Sequence, residues 1–224
     1  MTIEQLAEIC DHSGLSLSSS QLDQLSRYEE LLRQTNQVVN LISRKDEENI
    51  LEKHILHSLT VAMPSVVGFE FAKNERIFDI GSGGGLPGIP VKIARPDLSI
   101  TLCDSIAKKM TAVQNMIAGL SLSGITSVTS RAEELATKAE HRKKYDRIIS
   151  RAVAPLDELV QWTTDLLKPG GMLLSLKGGD LSEEIGRTKR FKTVASVTEY
   201  PLSLIGYDGF LTDDKKAVCV IFKA

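Results

Sequence analysis

Residues 79–88 read Asp79-Ile80-Gly81-Ser82-Gly83-Gly84-Gly85-Leu86-Pro87-Gly88, with five glycines in ten positions. The stretch follows a short β-prone run, Ile77–Ile80, and precedes a helical stretch that Arg95-Pro96 should end. At a strand-to-helix turn, glycines let the backbone adopt positive φ and let a ligand touch the main chain. Pro87 suits the first helical turn, where its missing N–H costs no hydrogen bond. Gly83, Gly85 and Gly88 are spaced as GxGxxG, so the turn is expected to hold a nucleotide-like ligand, though the spacing alone does not say which.

Outward from this loop the chain alternates. The β-prone runs Ser99–Cys103, Ser127–Ser130, Arg147–Ser150 and Met172–Leu176 are separated by helical stretches, the pattern of parallel strands joined by crossover helices. The helix after the second run carries a stripe of Ile106, Met110, Val113, Ile117 and Leu120, with Ser105 as a candidate cap. Val194–Leu204 and Ala217–Phe222 have no full helix between them and should pair antiparallel at one sheet edge. The expected fold is α/β, a mostly parallel seven-stranded sheet with an antiparallel edge. That arrangement resembles the Rossmann-like core of class I methyltransferases more than that of dehydrogenases. Residues 71–224 form this domain. Residues 1–70 read as a small helical extension: Ser18-Ser19-Ser20 offers N-cap hydroxyls, and Leu22, Leu25, Leu32 and Val39 recur near helical period. A second helical stretch starts near Asp46, with Ile50, Leu51, His54, Ile55 and Leu59 on its buried face, and Pro64 breaks it.

The 224 residues, 42% hydrophobic, suffice for one sizeable core and an accessory element. No apolar run approaches the roughly 20 residues needed to span a bilayer. The first residues look like no signal peptide. Cys10, Cys103 and Cys219 are far apart and odd in number, so neither disulfides nor a metal site is expected, and a cytoplasmic setting is. Net charge is −2, but residues 1–70 carry 5 Lys and Arg against 11 Asp and Glu, and residues 71–224 carry 22 against 18. A mildly basic domain thus follows an acidic segment. The clusters Arg142-Lys143-Lys144 and Arg187, Lys189, Arg190, Lys192 are solvated faces or phosphate contacts.

Strand ends supply the remaining candidates. Asp79 closes the first strand, where a carboxylate suits a ligand's cationic amino-acid end and would repel a pyrophosphate. That, and the lack of room for a separate substrate domain, favours S-adenosylmethionine over a dinucleotide. Asp104 ends the second strand, 19 residues after Gly85, where an acid accepts from ribose hydroxyls. Arg131-Ala132-Glu133 follows the third strand, and Arg151 ends the fourth. Lys177 ends the fifth, and two cations on this rim suit a carboxylate or a phosphate. His54 and His57 are three apart on a helix but have no third ligand nearby.

The motifs DIGSGGGLPG (79–88), LCDSIAKK (102–109), RAE (131–133), SRAVAP (150–155) and LKG (176–178), with Asn40-Leu41 and His54–Leu59, resemble the RsmG family, also called glucose-inhibited division protein B. The resemblance runs in unbroken order over roughly residues 20–222. It implies methylation of a guanine at N-7 in 16S ribosomal RNA of the small subunit, naked or assembled, with S-adenosylmethionine. By motif, Gly81, Leu86, Ala132, Glu133 and Arg151 would contact that cofactor. Asp79, Gly83, Gly85 and Asp104 join them by position. RNA-binding candidates are Lys177 and the two basic clusters. The family usually has Asp where this chain has His57, and an aromatic-Leu pair where it has Met110-Thr111-Ala112-Val113. The residues also fit a small-molecule methyltransferase or NAD enzyme, or a non-catalytic nucleotide-binding partner protein. Oligomeric state is not readable from them, a monomer being the default.

Overall fold

A computed structural model describes residues 1–224. Each β-prone run is a strand: β1 Arg76–Ile80, β2 Ser99–Asp104, β3 Ile125–Thr129, β4 Tyr145–Arg151, β5 Leu167–Gly178, β6 Val194–Pro201 and β7 Lys215–Phe222. They form one sheet in the order β3-β2-β1-β4-β5-β7-β6. Strands β1 to β5 are parallel, and β7 runs antiparallel to both β5 and β6. Ile77, Phe78, Asp79 and Ile80 are all buried, as expected of a central strand covered on both faces. From β1 the chain winds one way to β2 and β3, then returns to lay β4 on the other side of β1, pairing Ile80 with Ser150. Ligands bind outside the carboxyl ends at such a switch point. Here it lies between the glycine loop and Arg151.

The helices are α1 Ile3–His12, α2 Ser19–Asn36, α3 His57–Leu59, α4 Pro64–Val67, α5 Gly88–Ala94, α6 Ala107–Gly119, α7 Ala132–Ala136, α8 Leu156–Thr163, α9 Ser182–Thr188 and α10 Gly209–Thr212. A tight 3-10 turn at Arg44–Asn49, a π-helical turn at Leu51–Leu56 and a 3-10 turn at Thr60–Ala62 make the second N-terminal stretch an irregular run around α3. Ser18 caps α2 in a capping box with Gln21. Val39 falls beyond the end of α2 and is only half-buried. Pro64 ends one run and starts the next: Met63 is extended, and Pro64 opens α4. In α6 the expected stripe shifts. Ile106 precedes the helix and is 40% exposed, whereas Met110, Val113, Met116 and Leu120 are buried. Ser105 does not cap this helix, and no other side chain does; the Asp104 carboxylate accepts from Ile106 N at 2.9 Å and fixes the turn ahead of it. No helix is long and apolar enough to cross a membrane.

The N-terminal helices have no core of their own. Leu6, Leu25, Tyr28, Leu32, Ile50 and Leu59 belong to one continuous cluster with Ile77, Leu102 and Leu174 of the sheet. A second cluster fills the opposite face beneath α7 and α8. The segment 1–70 is therefore one layer of the domain. Polar contacts tie it in as well. Gln21 Nε2 donates to Ile93 O at 2.8 Å and Ala94 O at 2.9 Å, satisfying carbonyls at the end of α5.

One side chain thus serves two helix ends. Gln21→Ala should cost about 1–2 kcal/mol, the range for a lost cap. Urea unfolding would show it as a lower midpoint at unchanged slope. An unchanged midpoint would mean that α2 is not tied to α5 through this residue.

Candidate functional site

The loop after β1 is shaped by contacts from several directions. Gly81 has φ +66°, and a methyl group there would lie 2.6 Å from Val153 Cγ2, so only glycine allows the loop to press against the segment following β4. The Ser82 carbonyl accepts from Gly85 N and Leu86 N, both at 2.8 Å. Gly83 N donates to Asp104 Oδ2 at 3.1 Å, and Gly88 N to Asp79 Oδ2 at 2.8 Å. From behind, the buried Tyr28 hydroxyl donates to Gly84 O at 2.8 Å. Met110 lies under the loop, its sulfur 3.8 Å from Ser82 Oγ.

Above the carboxyl ends of the strands this loop borders a crevice of about 450 Å³. That volume suits a small-molecule or cofactor site. Gly81, Gly83, Leu86, Asp104, Ala132, Glu133 and Arg151 all stand on its walls, so seven of the nine cofactor candidates are brought together. Two are not. Asp79 is fully buried behind the loop, and its burial pushes the carboxyl up to about 8. It is therefore largely protonated at neutral pH and offers a ligand ammonium little negative charge; it fastens the start of α5, and its Oδ1 has no partner. Gly85, at φ +90°, faces Ile89, where a methyl group would lie 2.4 Å from Cδ1.

Sequence reasoning missed other wall residues: Leu41, Lys109, Arg131, Val153 and Trp162. Leu41, Lys109, Arg131 and Val153 lie inside quoted motifs. Trp162, the only tryptophan, sits three residues after buried Leu159 on α8, and that spacing reads as core packing.

Arg151 has no carboxylate partner. Its Nη1 donates to Lys53 O at 3.3 Å and meets His54 Nδ1 at 2.9 Å. A guanidinium only donates, so Nδ1 must be the lone-pair nitrogen and His54 must be neutral. Burial, then the charge of Arg151, pulls its pKa down to about 4, with Lys53 adding to the shift and Asp46 opposing it. His54 Nε2 is buried without a hydrogen-bond partner, Asp46 Oδ2 standing off at 3.7 Å.

A smaller cavity of about 340 Å³ shares Ala152 and Val153 with the crevice and is further lined by His57, Lys177, Glu184 and Lys215. Ala152 has φ +53°, a left-handed conformation uncommon for a residue with a Cβ and frequent at functional sites. His57 packs on Phe210 with ring centroids 5.1 Å apart, and its Nε2 is buried and unpartnered. Burial, then Arg151 and Lys215, lowers its pKa to about 3.

The cations expected on the rim are placed differently. Lys177 is engaged inside the fold, bonded to Glu184 Oε2 at 2.6 Å and Ala154 O at 2.8 Å. Arg142, Lys143 and Lys144 immediately precede β4, at the sheet edge opposite the crevice, and Lys143 Nζ is bonded to Thr164 O at 2.6 Å. Lys189, Arg190 and Lys192 lead into β6, whose Val194 pairs with Phe222 at that same far edge. Arg187 is paired with Asp157 at 2.9 Å.

Residues 21–206 match the family model described as rRNA small subunit methyltransferase G. A protein of Chlorobium luteolum named ribosomal RNA small subunit methyltransferase G is 42% identical over 187 residues, covering 84% of this chain and 75% of its own. A Chlorobium phaeobacteroides protein of the same name is 38% identical over 214 residues, covering 93% and 91%. Among solved structures, M. jannaschii TYW2 in complex with AdoMet shares the fold, with a TM-score of 0.55 at 12% identity over 81% of this chain and 77% of that one.

Asp104 holds both Gly83 and Ile106, so its carboxylate shapes the crevice whether or not it also touches a ligand. Asp104→Ala should weaken S-adenosylhomocysteine binding by about 1–3 kcal/mol, the cost of losing hydrogen bonds to a charged group. Calorimetric titration would measure the change, and wild-type affinity would remove Asp104 from the site.

Proposed function

This chain belongs to the rRNA small subunit methyltransferase G family, and we propose that it methylates N-7 of a guanine in 16S ribosomal RNA with S-adenosylmethionine. The observation that carries the reading is the crevice at the β1/β4 switch point, with a glycine loop on one wall and an unpaired Arg151 on another. The residues fit this cofactor. An unneutralised guanidinium suits a carboxylate, the acid Asp104 suits ribose hydroxyls, and the apolar Leu86, Ala132 and Trp162 suit a purine ring. The loop is held in shape by Tyr28, Asp104 and Asp79, so little ordering is left for binding. Bound there, S-adenosylmethionine supplies a methyl group already activated by the positive charge on sulfur.

The chain's own task is positioning. Guanine N-7 has a lone pair free at neutral pH, so no residue has to remove a proton. We place the acceptor base in the cavity shared at Ala152 and Val153, beside His57. A neutral imidazole there does not oppose the positive charge that methylation builds on the purine. Holding nucleophile and methyl group in line and excluding water are then the sources of rate. Phosphates flanking the base would meet exposed cations. Arg142, Lys144, Lys189, Arg190 and Lys192 serve if the RNA wraps to the far edge, whereas Lys177 and Arg187 are engaged in ion pairs. Three free cysteines, all buried, fit a reducing cytoplasm.

Incubation with labelled S-adenosylmethionine and unmodified small subunits or their naked RNA, followed by mapping, tests the reading. Label on one guanine, released as 7-methylguanine, is expected. Label on a metabolite and not on RNA would overturn it, as would no transfer at all. Single-turnover rates should be nearly flat from about pH 5.5 to 7.5, between the low pKa values of His54 and His57, about 4 and 3, and that of Asp79, about 8. A tenfold fall per unit below pH 7 would reveal a catalytic base.

A further inference from the structure

Arg151 is an unusual cation. It is half-buried at the carboxyl end of a central strand, yet no carboxylate lies within ion-pair distance, and its protein partners are the Lys53 carbonyl and His54 Nδ1. A guanidinium carries five N–H donors in a rigid fork, so most of them remain available to the crevice that it lines. The residue that holds it comes from a π-helical turn, Leu51–Leu56. Such turns occur often at functional sites, because the wider coil re-aims a side chain. Here the turn aims the lone pair of a buried imidazole at the strand end.

We infer that His54 is a positioning residue for cofactor binding, one that fixes the Arg151 guanidinium on the crevice wall without neutralising it. The choice of an imidazole follows from electrostatics. An Asp or Glu in this place would hold Arg151 equally well, but its charge would cancel the field that a ligand carboxylate must feel. An apolar residue would leave the field but let the long side chain swing among its rotamers. A neutral acceptor does neither. Among the groups around the pair, Asp46 faces His54 Nε2 at 3.7 Å, on the side away from Arg151, and favours the charged ring, but burial and the charge of Arg151 outweigh it. Tyr28 is protonated by burial, and buried Asp79 is largely protonated at neutral pH. Lys53 reaches Arg151 only through its backbone oxygen, which accepts from Nη1 at 3.3 Å, while its ammonium points to Asp46 at 3.2 Å. The N-terminal segment thus sets the charge state of the cofactor crevice.

This inference rests on the proposed cofactor reading, that the ligand's amino-acid carboxylate faces Arg151. Its test compares two ligands on the full-length protein, S-adenosylhomocysteine and 5′-methylthioadenosine, which lacks the amino-acid end. Three variants are titrated: His54→Asn, which puts a neutral carbonyl oxygen where Nδ1 stands; His54→Asp, its charged isostere; and His54→Leu. We expect Asn to bind S-adenosylhomocysteine within about threefold of wild type and Asp and Leu to bind it at least tenfold more weakly. Methylthioadenosine should bind all of them alike. In an Arg151→Ala background the difference between Asn and Asp should vanish. Equal S-adenosylhomocysteine affinities for Asn and Asp would overturn the role of His54, and that comparison stands even if the Leu variant folds poorly. Parallel losses for both ligands would overturn it too, showing that His54 only shapes the crevice. Failure of the wild-type protein to bind S-adenosylhomocysteine would instead overturn the cofactor reading itself.

Discussion

The hydrogen bond from the Tyr28 hydroxyl to the Gly84 carbonyl is the contact on which the site depends. A stretch with five glycines in ten residues has many conformations to lose, and each ordered residue costs roughly 1–2 kcal/mol of backbone entropy. A ligand that had to order the loop would bind weakly. Tyr28 grips the loop from behind, Asp104 from the side and Asp79 from below, so the crevice exists before any ligand arrives. The donor is buried with its whole side chain, and an unmade bond there would leave two polar groups unsatisfied.

That grip explains why an α/β methyltransferase domain carries helices ahead of its first strand. They complete the hydrophobic layer over one face of the sheet, and several parts of the segment deliver a residue to the carboxyl rim. The α2 helix brings Tyr28, the loop after it brings Leu41, and the irregular turns bring His54 to Arg151 and His57 to the second cavity. The two histidines sit one turn apart, both neutral, in a corner that holds Arg151 and Lys215. Burial stabilises the uncharged ring there.

The strand–helix alternation and the loop at Asp79–Gly88 were enough to read the sheet, its antiparallel edge and the location of the crevice from the residues. Strand-end positions were legible because a residue's place along a parallel strand says which rim it occupies. The direction in which its side chain turns was not. Asp79 stands one residue before the end of β1 but points back into the fold to meet Gly88, and Lys177 stands one residue before the end of β5 but turns to Glu184. The basic clusters show the reverse lapse. Arg142–Lys144 stand before a parallel strand and Lys192 before β6, so strand direction already put them at the edge away from the crevice. Trp162 could not be distinguished from a core residue, because helical spacing is the same for a side chain that packs and one that lines a wall. The joint core of residues 1–70 and the sheet was also hidden, since periodicity shows that a helix has an apolar face but not what covers it.

Hydrogen exchange at the amides of Gly83 to Leu86, measured without ligand in wild type and in Tyr28→Phe, tests most directly whether the N-terminal helices preorganise the crevice. Removing one hydroxyl should leave the sheet amides as protected as before. It should speed exchange across the loop at least tenfold and weaken S-adenosylhomocysteine binding alongside. Loop exchange equally slow in both proteins, with unchanged affinity, would contradict the account.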